Sequence, residues 1–224
     1  HYELAVKFFS KFPGSEMITA GYLQKAIDND TTNTNKLTYM KQAADMFGKA
    51  KMYKEQVQWL NKYNDLKGSM GEYDCYLITN AAYLGKDYVG TMSYAQKYIA
   101  TVPDKPQGYV FNVRAAKALD TTSNPGIAVE ALLQYNTFLA RDSVKNKTTI
   151  VGNYYYIMIY YADKVKDYAK SIEYCDRILM IIPGDAEMTN IRKTLEARLN
   201  KSTQPAKPAT GAKSATPAPA GNPK

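Results

Sequence analysis

The sequence predicts an all-α protein, a right-handed α-solenoid of antiparallel helix pairs with about 11 helices and a disordered C-terminal tail. Apolar residues recur at helical spacing along almost the whole chain, and no sustained alternating pattern typical of strands occurs. Proline or glycine interrupts this pattern at fairly even intervals, at 12–14, 67–69, 101–104 and 182–184. The third observation is that the segments before these interruptions resemble one another, which is typical of a repeat architecture.

The internal repeat is clearest between residues 85–103 and 165–183. These segments align without a gap at an offset of 80, and Lys-Asp-Tyr, a second Tyr and the final Pro coincide. Residues 52–68 align with the first segment at an offset of 35. Each unit reads as a helix, a tight turn, a second helix that opens on Tyr, and a stop.

This unit resembles the tetratricopeptide repeat, which is about 34 residues long. Three copies carry small, aromatic and apolar residues at the family's positions: Phe47, Tyr53, Leu60, Tyr63 and Gly68; Thr79, Tyr88, Thr91, Ala95, Tyr98 and Pro103; Tyr155, Met158, Tyr168, Ser171, Cys175, Ile178 and Pro183. The usual Ala of the second helix is replaced by Gln56, Thr91 or Ser171. Residues 104–150 must hold one further repeat with about 12 extra residues. Ala5, Phe8 and Pro13 fit a second helix whose first helix is cut away.

The elements follow in order from these periodicities. We expect helices at 2–11, 15–28, 36–49, 53–66, 71–84, 88–101, 107–119, 125–141, 147–163, 167–181 and 185–200. They form one domain over 1–200, with helix pairs at about 36–68, 70–103, 105–141 and 147–183 and a capping helix at 185–200. Residues 201–224 are rich in Ala, Pro and Lys and hold no aromatic or large aliphatic residue, so we expect them to be disordered.

Composition excludes several classes of chemistry. The one histidine is His1, so catalysis by histidine and metal binding by histidine are not expected. The two cysteines, Cys75 and Cys175, form no C-x-x-C motif and lie in apolar helical segments, where buried thiols are usual. No phosphate-binding glycine motif or nucleophile elbow occurs. We therefore predict no catalytic residue, metal or cofactor; a hydrolase that uses Asp and Glu alone is the residual enzymatic alternative.

Charge and hydropathy restrict the kinds of partner that we expect the protein to bind. The four lysines of residues 201–224 supply half of the net charge of +8, which leaves the folded part a poor match for a nucleic-acid surface. No apolar stretch is long enough for a transmembrane helix. The remaining expectation is a protein or peptide partner.

The resemblance implies that the first helix of each pair lines a concave groove. Counting back from the final proline or glycine of each unit, the expected groove residues are Lys41 and Asp45 (with Thr38 and Lys49); Tyr73, Tyr76, Asn80 and Tyr83; and Asn153, Tyr156, Tyr160 and Asp163. Cys75, Ile78, Thr79 and Ala82 would then face the second helix. Tyr offers a rigid apolar face and a hydroxyl, which suits peptide or sugar binding. The alternative is that these tyrosines pack between repeats, because an error of one residue exchanges the two faces.

These features predict a non-catalytic scaffold for protein–protein interaction that binds a partner segment in the groove. The alternative is a carbohydrate-binding helical-repeat protein of the cell envelope, although Trp59, the one tryptophan, lies on an expected core helix. An RNA-binding repeat protein would need basic columns along the groove, which these positions do not supply. Repeat domains that clamp the C-terminal carboxylates of chaperones use Lys and Asn in the groove; Asn80 matches, but Tyr76 and Tyr156 do not.

Location is predicted from short motifs. Asp30-Thr31-Thr32, Asp120-Thr121-Thr122 and Asp142-Ser143-Val144 are similar to the site at which some Gram-negative bacteria O-glycosylate exported proteins. We therefore expect a bacterial protein of the periplasm or cell envelope; a cytoplasmic location is the alternative. Because the sequence opens within an amphipathic helix, we expect more sequence before His1, with further repeats or a lipid anchor.

Overall fold

Ten α-helices, joined by short turns, form the described part of the chain. The computed structural model describes residues 1–8, 11–120 and 126–203. The helices are α1 (Glu16–Asn29), α2 (Asn33–Lys49), α3 (Tyr53–Lys67), α4 (Glu72–Leu84), α5 (Tyr88–Thr101), α6 (Gln107–Leu119), α7 (Ile127–Leu139), α8 (Lys147–Ile159), α9 (Tyr168–Ile181) and α10 (Ala186–Thr203). Shorter helical turns lie at Leu4–Phe8 (π), Ala140–Asp142 (3₁₀) and Tyr160–Val165 (π). With the N-terminal turn, the eleven predicted helical segments are confirmed.

Consecutive helices pack against each other along the chain, as a solenoid of helix pairs requires. The pairs are α2/α3, α4/α5, α6/α7 and α8/α9, and α10 packs on α9. Among helices that are not consecutive, α4 packs directly on α6. Both are first helices of their pairs, so the first helices share one face of the molecule. No described helix is long and apolar enough to cross a bilayer.

The N-terminal turn takes the place of a first helix, which corrects the expectation of a lone second helix. The ring of Tyr2 lies 4.7 Å from that of Tyr39 on α2, a first helix. Among the second helices, the Lys62 ammonium on α3 donates a hydrogen bond to the Gln24 side chain on α1 at 2.8 Å, which joins α1 to a second helix. The N-terminal turn and α1 therefore form one more pair in line with the others.

Three of the turns inside the pairs contain a lysine in the left-handed conformation. Lys51, Lys86 and Lys166 all adopt left-handed φ values, of 59°, 59° and 62°. In the second and last of these turns an Asp follows, and its carboxylate caps the next helix: Asp87 accepts from the Gly90 amide at 2.9 Å and Asp167 from the Lys170 amide at 3.0 Å. In these two turns, a left-handed residue that ends one helix stands beside a cap that begins the next, which keeps the turn to three residues after α4 and two residues before α9.

The buried apolar side chains form two clusters. One joins the N-terminal turn to α4 around Phe47, Leu60 and Ile78. The other joins α6 to α10 around Leu132, Ile157 and Ile178. Cys75 and Cys175 are both fully buried, and burial raises the pKa of both thiols.

The start of α2 and the end of α10 each differ from the prediction by three residues. α2 begins at Asn33, three residues early, because the Asp30 carboxylate accepts hydrogen bonds from the Thr32 amide and hydroxyl, each at 2.8 Å, and holds the turn. These bonds lower the pKa of Asp30 to about 2. α10 runs to Thr203, so Lys201–Thr203 are helical rather than part of the tail. The rest of the predicted disordered tail, 204–224, lies outside the described residues, as do Thr121 and Thr122.

Candidate functional site

The candidate site is the face of the first helices, where exposed side chains follow each other from α2 to α4. On α2, Thr38, Lys41, Asp45 and Lys49 are all exposed. On α4, Tyr73 and Tyr76 keep 61% and 39% of their surface exposed. Asn80 and Tyr83 are half-buried. The side chains expected to face the second helix are buried: Cys75, Ile78, Thr79 and Ala82.

Neighbouring first helices meet through aromatic and cationic side chains on this face. The Lys41 ammonium of α2 lies 5.9 Å from the ring centre of Tyr73 on α4. One step further, the buried Phe111 ring of α6 lies 5.9 Å from Tyr76 and 6.0 Å from Tyr83. Contacts of this kind combine stacking with cation–π attraction and leave one side of the rings open. Tyr76 is thus both an inter-repeat contact and an exposed surface.

On α8 the structure corrects the expected positions by one residue. Asn153 is 8% exposed, and its side-chain amide donates a hydrogen bond to the Asn136 side chain of α7 at 2.7 Å. Tyr156 and Tyr160 are half-buried. The exposed side chains are Tyr155 (41%) and Ile159, with Asp163 beyond them.

The π-helical turn at Tyr160–Val165 explains this shift. A π turn holds one residue more than an α turn. Before it, α8 matches α4 at an offset of 79, with Tyr155 at the place of Tyr76 and buried Met158 at the place of Thr79. After it, the offset is 80.

The hydrogen bonds of the turns show the same extra residue. The amide of Asp87 bonds the carbonyl of Ala82, five residues back, at 3.0 Å. The amide of Asp167 bonds the carbonyl of Tyr161, six residues back, at 3.0 Å. Because the register in the sequence is read from the second helix and its final proline, an insertion upstream of that helix shifts every earlier residue of α8 by one position.

Tyr156 faces α6 rather than solvent. Its ring centre lies 4.4 Å from the Lys117 ammonium, and its hydroxyl donates to Asp120 at 3.3 Å. Burial, and then the charge of Asp120, raise the pKa of Tyr156. The Tyr160 hydroxyl lies against Gly126, where a Cβ would come within 2.6 Å of it. These two tyrosines therefore pack between repeats.

A cleft of about 550 Å³ between α8 and α10 was not predicted from the sequence. Tyr155, Ile159, Ile191 and the buried Leu195 are apolar residues that line it, and Asp163, Glu187 and Arg198 line it as well. Once the register of α8 is corrected, Tyr155 and Ile159 are the residues that extend the first-helix face into this cleft. The signal available in the sequence was the run Tyr154–Tyr161, which must face both ways in any register.

Two further features bear on the alternatives. Trp59 is 7% exposed, with the Lys62 ammonium 4.4 Å from its ring centre, so it offers no open platform for a sugar ring. Within the described ranges, no group of three or more His, Cys, Asp and Glu side chains is arranged to hold a metal ion.

Comparison with known proteins supports the fold. No family model and no curated protein matches the sequence. Among solved structures, the chain is similar to the C-terminal part of a TPR repeat-containing protein from Cytophaga hutchinsonii, with 22% identity and a TM-score of 0.51, over 79% of this chain and 67% of that one. At this identity the likeness concerns the fold alone. Together with the repeated turns, it shows that this protein has the fold of a tetratricopeptide-repeat protein.

Proposed function

We propose that this protein is a non-catalytic scaffold that binds a segment of a partner protein along the face of its first helices. The observation that carries the proposal is the pair Tyr76 and Tyr155, which occupy the same repeat position and are about 40% exposed. Tyrosines exposed at this level present a rigid apolar surface with a polar tip, the composition typical of protein interfaces.

The rest of the face suits an extended polypeptide. Lys41, at the same position on α2, and Asp45, one turn later, offer charges of both signs. Tyr73 and Ile159 add exposed apolar area. A segment laid across the first helices would therefore meet charged groups at α2 and apolar groups at α4 and α8.

Site-specific photo-crosslinking tests the proposal. A photoreactive phenylalanine analogue would replace Tyr76, Tyr155 or, as the control, Met180, which is 79% exposed on the second helix α9. We expect the analogue at positions 76 and 155 to crosslink to one partner protein, at neighbouring stretches of a single segment. The analogue at position 180 should give no crosslink. Equal crosslinking from all three positions, or none from either tyrosine, would contradict the proposal.

Substitution separates binding from folding. Tyr155→Ser removes a side chain that is 41% exposed, so we expect a loss of stability of about 1 kcal/mol or less, whereas Tyr76→Ser also loses the contact with Phe111 and should cost more. The free energy of binding to the crosslinked partner should weaken by about 2 kcal/mol, as at an interfacial hot spot. Tyr156→Ser is the matched control, since it breaks a packed inter-repeat contact. It should lower the melting temperature more than Tyr155→Ser and affinity less.

We also propose a periplasmic or envelope location. In support, Thr31 and Ser143 lie exposed in turns, each directly after an Asp whose carboxylate holds that turn. Cell fractionation of the source bacterium tests the location, and the intact mass of the purified protein tests whether Thr31 or Ser143 carries a glycan. Recovery in the cytoplasm at the mass of the bare polypeptide would contradict it.

A further inference from the structure

The first-helix face contains an internal example of how an aromatic side chain fills the gap between two first helices. Between α4 and α6, the ring of Phe111 lies close to both Tyr76 and Tyr83, and Phe111 is buried. The same helices pack directly on one another. A large ring supplied by the later helix thus closes this gap.

The equivalent gap between α8 and α10 contains a smaller side chain. Gly108 and Ala115 on α6 are buried, as are Met188 and Leu195 on α10, 80 residues later. This correspondence places Ile191 where α6 has Phe111. On α8, Tyr155 stands at the place of Tyr76.

An open cleft results from this difference. Its volume is about 550 Å³, and within the described ranges α8 and α10 pack on each other less closely than α4 and α6 do. Tyr155 and Ile159, on its wall, are among the exposed large apolar residues of the chain. Open space beside apolar walls forfeits the contacts that an inserted side chain would restore.

The charges that line the cleft specify its occupant further. Asp163 lines the cleft at the place that Tyr83 holds on α4, and Glu187 lies one helical turn before Ile191. Neither carboxylate forms an ion pair within the described residues, whereas Arg192, on the same helix, pairs with both Asp176 and Glu196. Among the described residues, Arg198 is the one cation that lines the cleft, so the two carboxylates give the cleft a negative charge on balance. A basic residue next to an apolar anchor complements this arrangement.

We propose that the cleft between α8 and α10 is a specificity pocket for an aromatic side chain of the partner segment, with a basic residue beside it. The inference rests on the proposed function and names the chemistry that the partner must carry. The ring lies between Tyr155 and Ile191 over Leu195, as Phe111 lies against Tyr76, and the basic group meets Glu187 or Asp163.

A peptide probe tests the pocket without the native partner. N-acetyl-Phe-Lys-amide is titrated into protein with ¹³C-labelled Ile and Leu methyls, with N-acetyl-Ala-Lys-amide and N-acetyl-Phe-Glu-amide as comparisons. We expect saturable shifts at Ile159, Ile191 and Leu195 with the first probe, and binding weaker by about tenfold with the Ala probe. Glu187→Lys should weaken Phe-Lys and spare Phe-Glu.

Ile191→Phe supplies the missing ring from the protein itself. It should abolish the probe-induced shifts at Ile159 and Leu195, whereas Met180→Phe, on the exposed side of α9, should not. If Ile191→Phe fails to fold, Tyr155→Ala removes a pocket wall instead, with the same expected loss. Equal binding of the Phe and Ala probes, or retained binding in the variant, would overturn the pocket. Crosslinking from Tyr76 is independent of it, so a failed pocket and a failed scaffold give different results.

Discussion

At the scale of single residues, the turns depend on lysines in a conformation that lysine disfavours. Lys86 has φ of 59°, and the amides of Lys86 and Asp87 bond the carbonyls of Tyr83 and Ala82, each at 3.0 Å. This is the hydrogen-bonded helix end in which glycine is usual, because a Cβ is strained at positive φ. The same choice at Lys51 and Lys166 makes the strain a property of the repeat.

Replacing Lys86 with glycine should therefore stabilise the protein. Relief of the left-handed strain outweighs the larger entropy of glycine in the unfolded chain, for a net gain of about 0.5–1 kcal/mol. Lys193→Gly, at an exposed position within α10, is the control and should cost about 1 kcal/mol. Urea denaturation measures both. A loss of stability in Lys86→Gly would show that its side chain contributes more than its backbone costs.

At the scale of helices, periodicity and turn residues were enough to place the eleven segments and the exposed side of α4. The sequence could not show where one residue is inserted inside a helix. The π turn at Tyr160–Val165 leaves the second helix and Pro183 in register while it rotates the earlier part of α8 by about one residue. Tyr155 and Ile159 were missed for this reason, and Asn153, which is buried, was included.

The contact between α5 and α6 depends on a glycine that periodicity does not reveal. A Cβ on Gly108 would lie 2.8 Å from Ile99 Cγ1 and 3.1 Å from the Ile99 amide nitrogen, so backbone as well as side chain stands in the way. At Gly152 on α8, in contrast, a Cβ would meet nothing within 4 Å. The two glycines are thus opposite cases of the same substitution.

We expect Gly108→Ala to destabilise the protein by about 1–3 kcal/mol, the usual cost of overpacking, despite the better helix propensity of alanine. Gly152→Ala should instead stabilise it by about 0.5–1 kcal/mol. Thermal melts of the two variants give the comparison. Stabilisation by both would mean that α5 and α6 can separate at no cost.

At the scale of the whole molecule, successive pairs are joined by short-range contacts of two kinds. Apolar packing is divided between the N-terminal and C-terminal clusters. Polar bonds link second helices of successive pairs: Gln24 to Lys62 at 2.8 Å, Asn61 to Tyr94 at 2.8 Å and Gln96 to Gln134 at 3.1 Å. In such a stack, each pair is stabilised chiefly by its immediate neighbours.

Leu60 and Leu132 provide a matched test of this organisation, one in each cluster. They are 3% and 0% exposed, so each change to Ala should cost about 2–5 kcal/mol through lost burial and a cavity. Because coupling runs between neighbours, the loss should be local. Hydrogen exchange should accelerate in α1–α4 for Leu60→Ala while α7–α10 keep most of their protection, and the reverse should hold for Leu132→Ala. Equal loss of protection along the whole chain in both variants would instead show that the two clusters unfold as one cooperative unit, with the α5/α6 contact strong enough to transmit either defect.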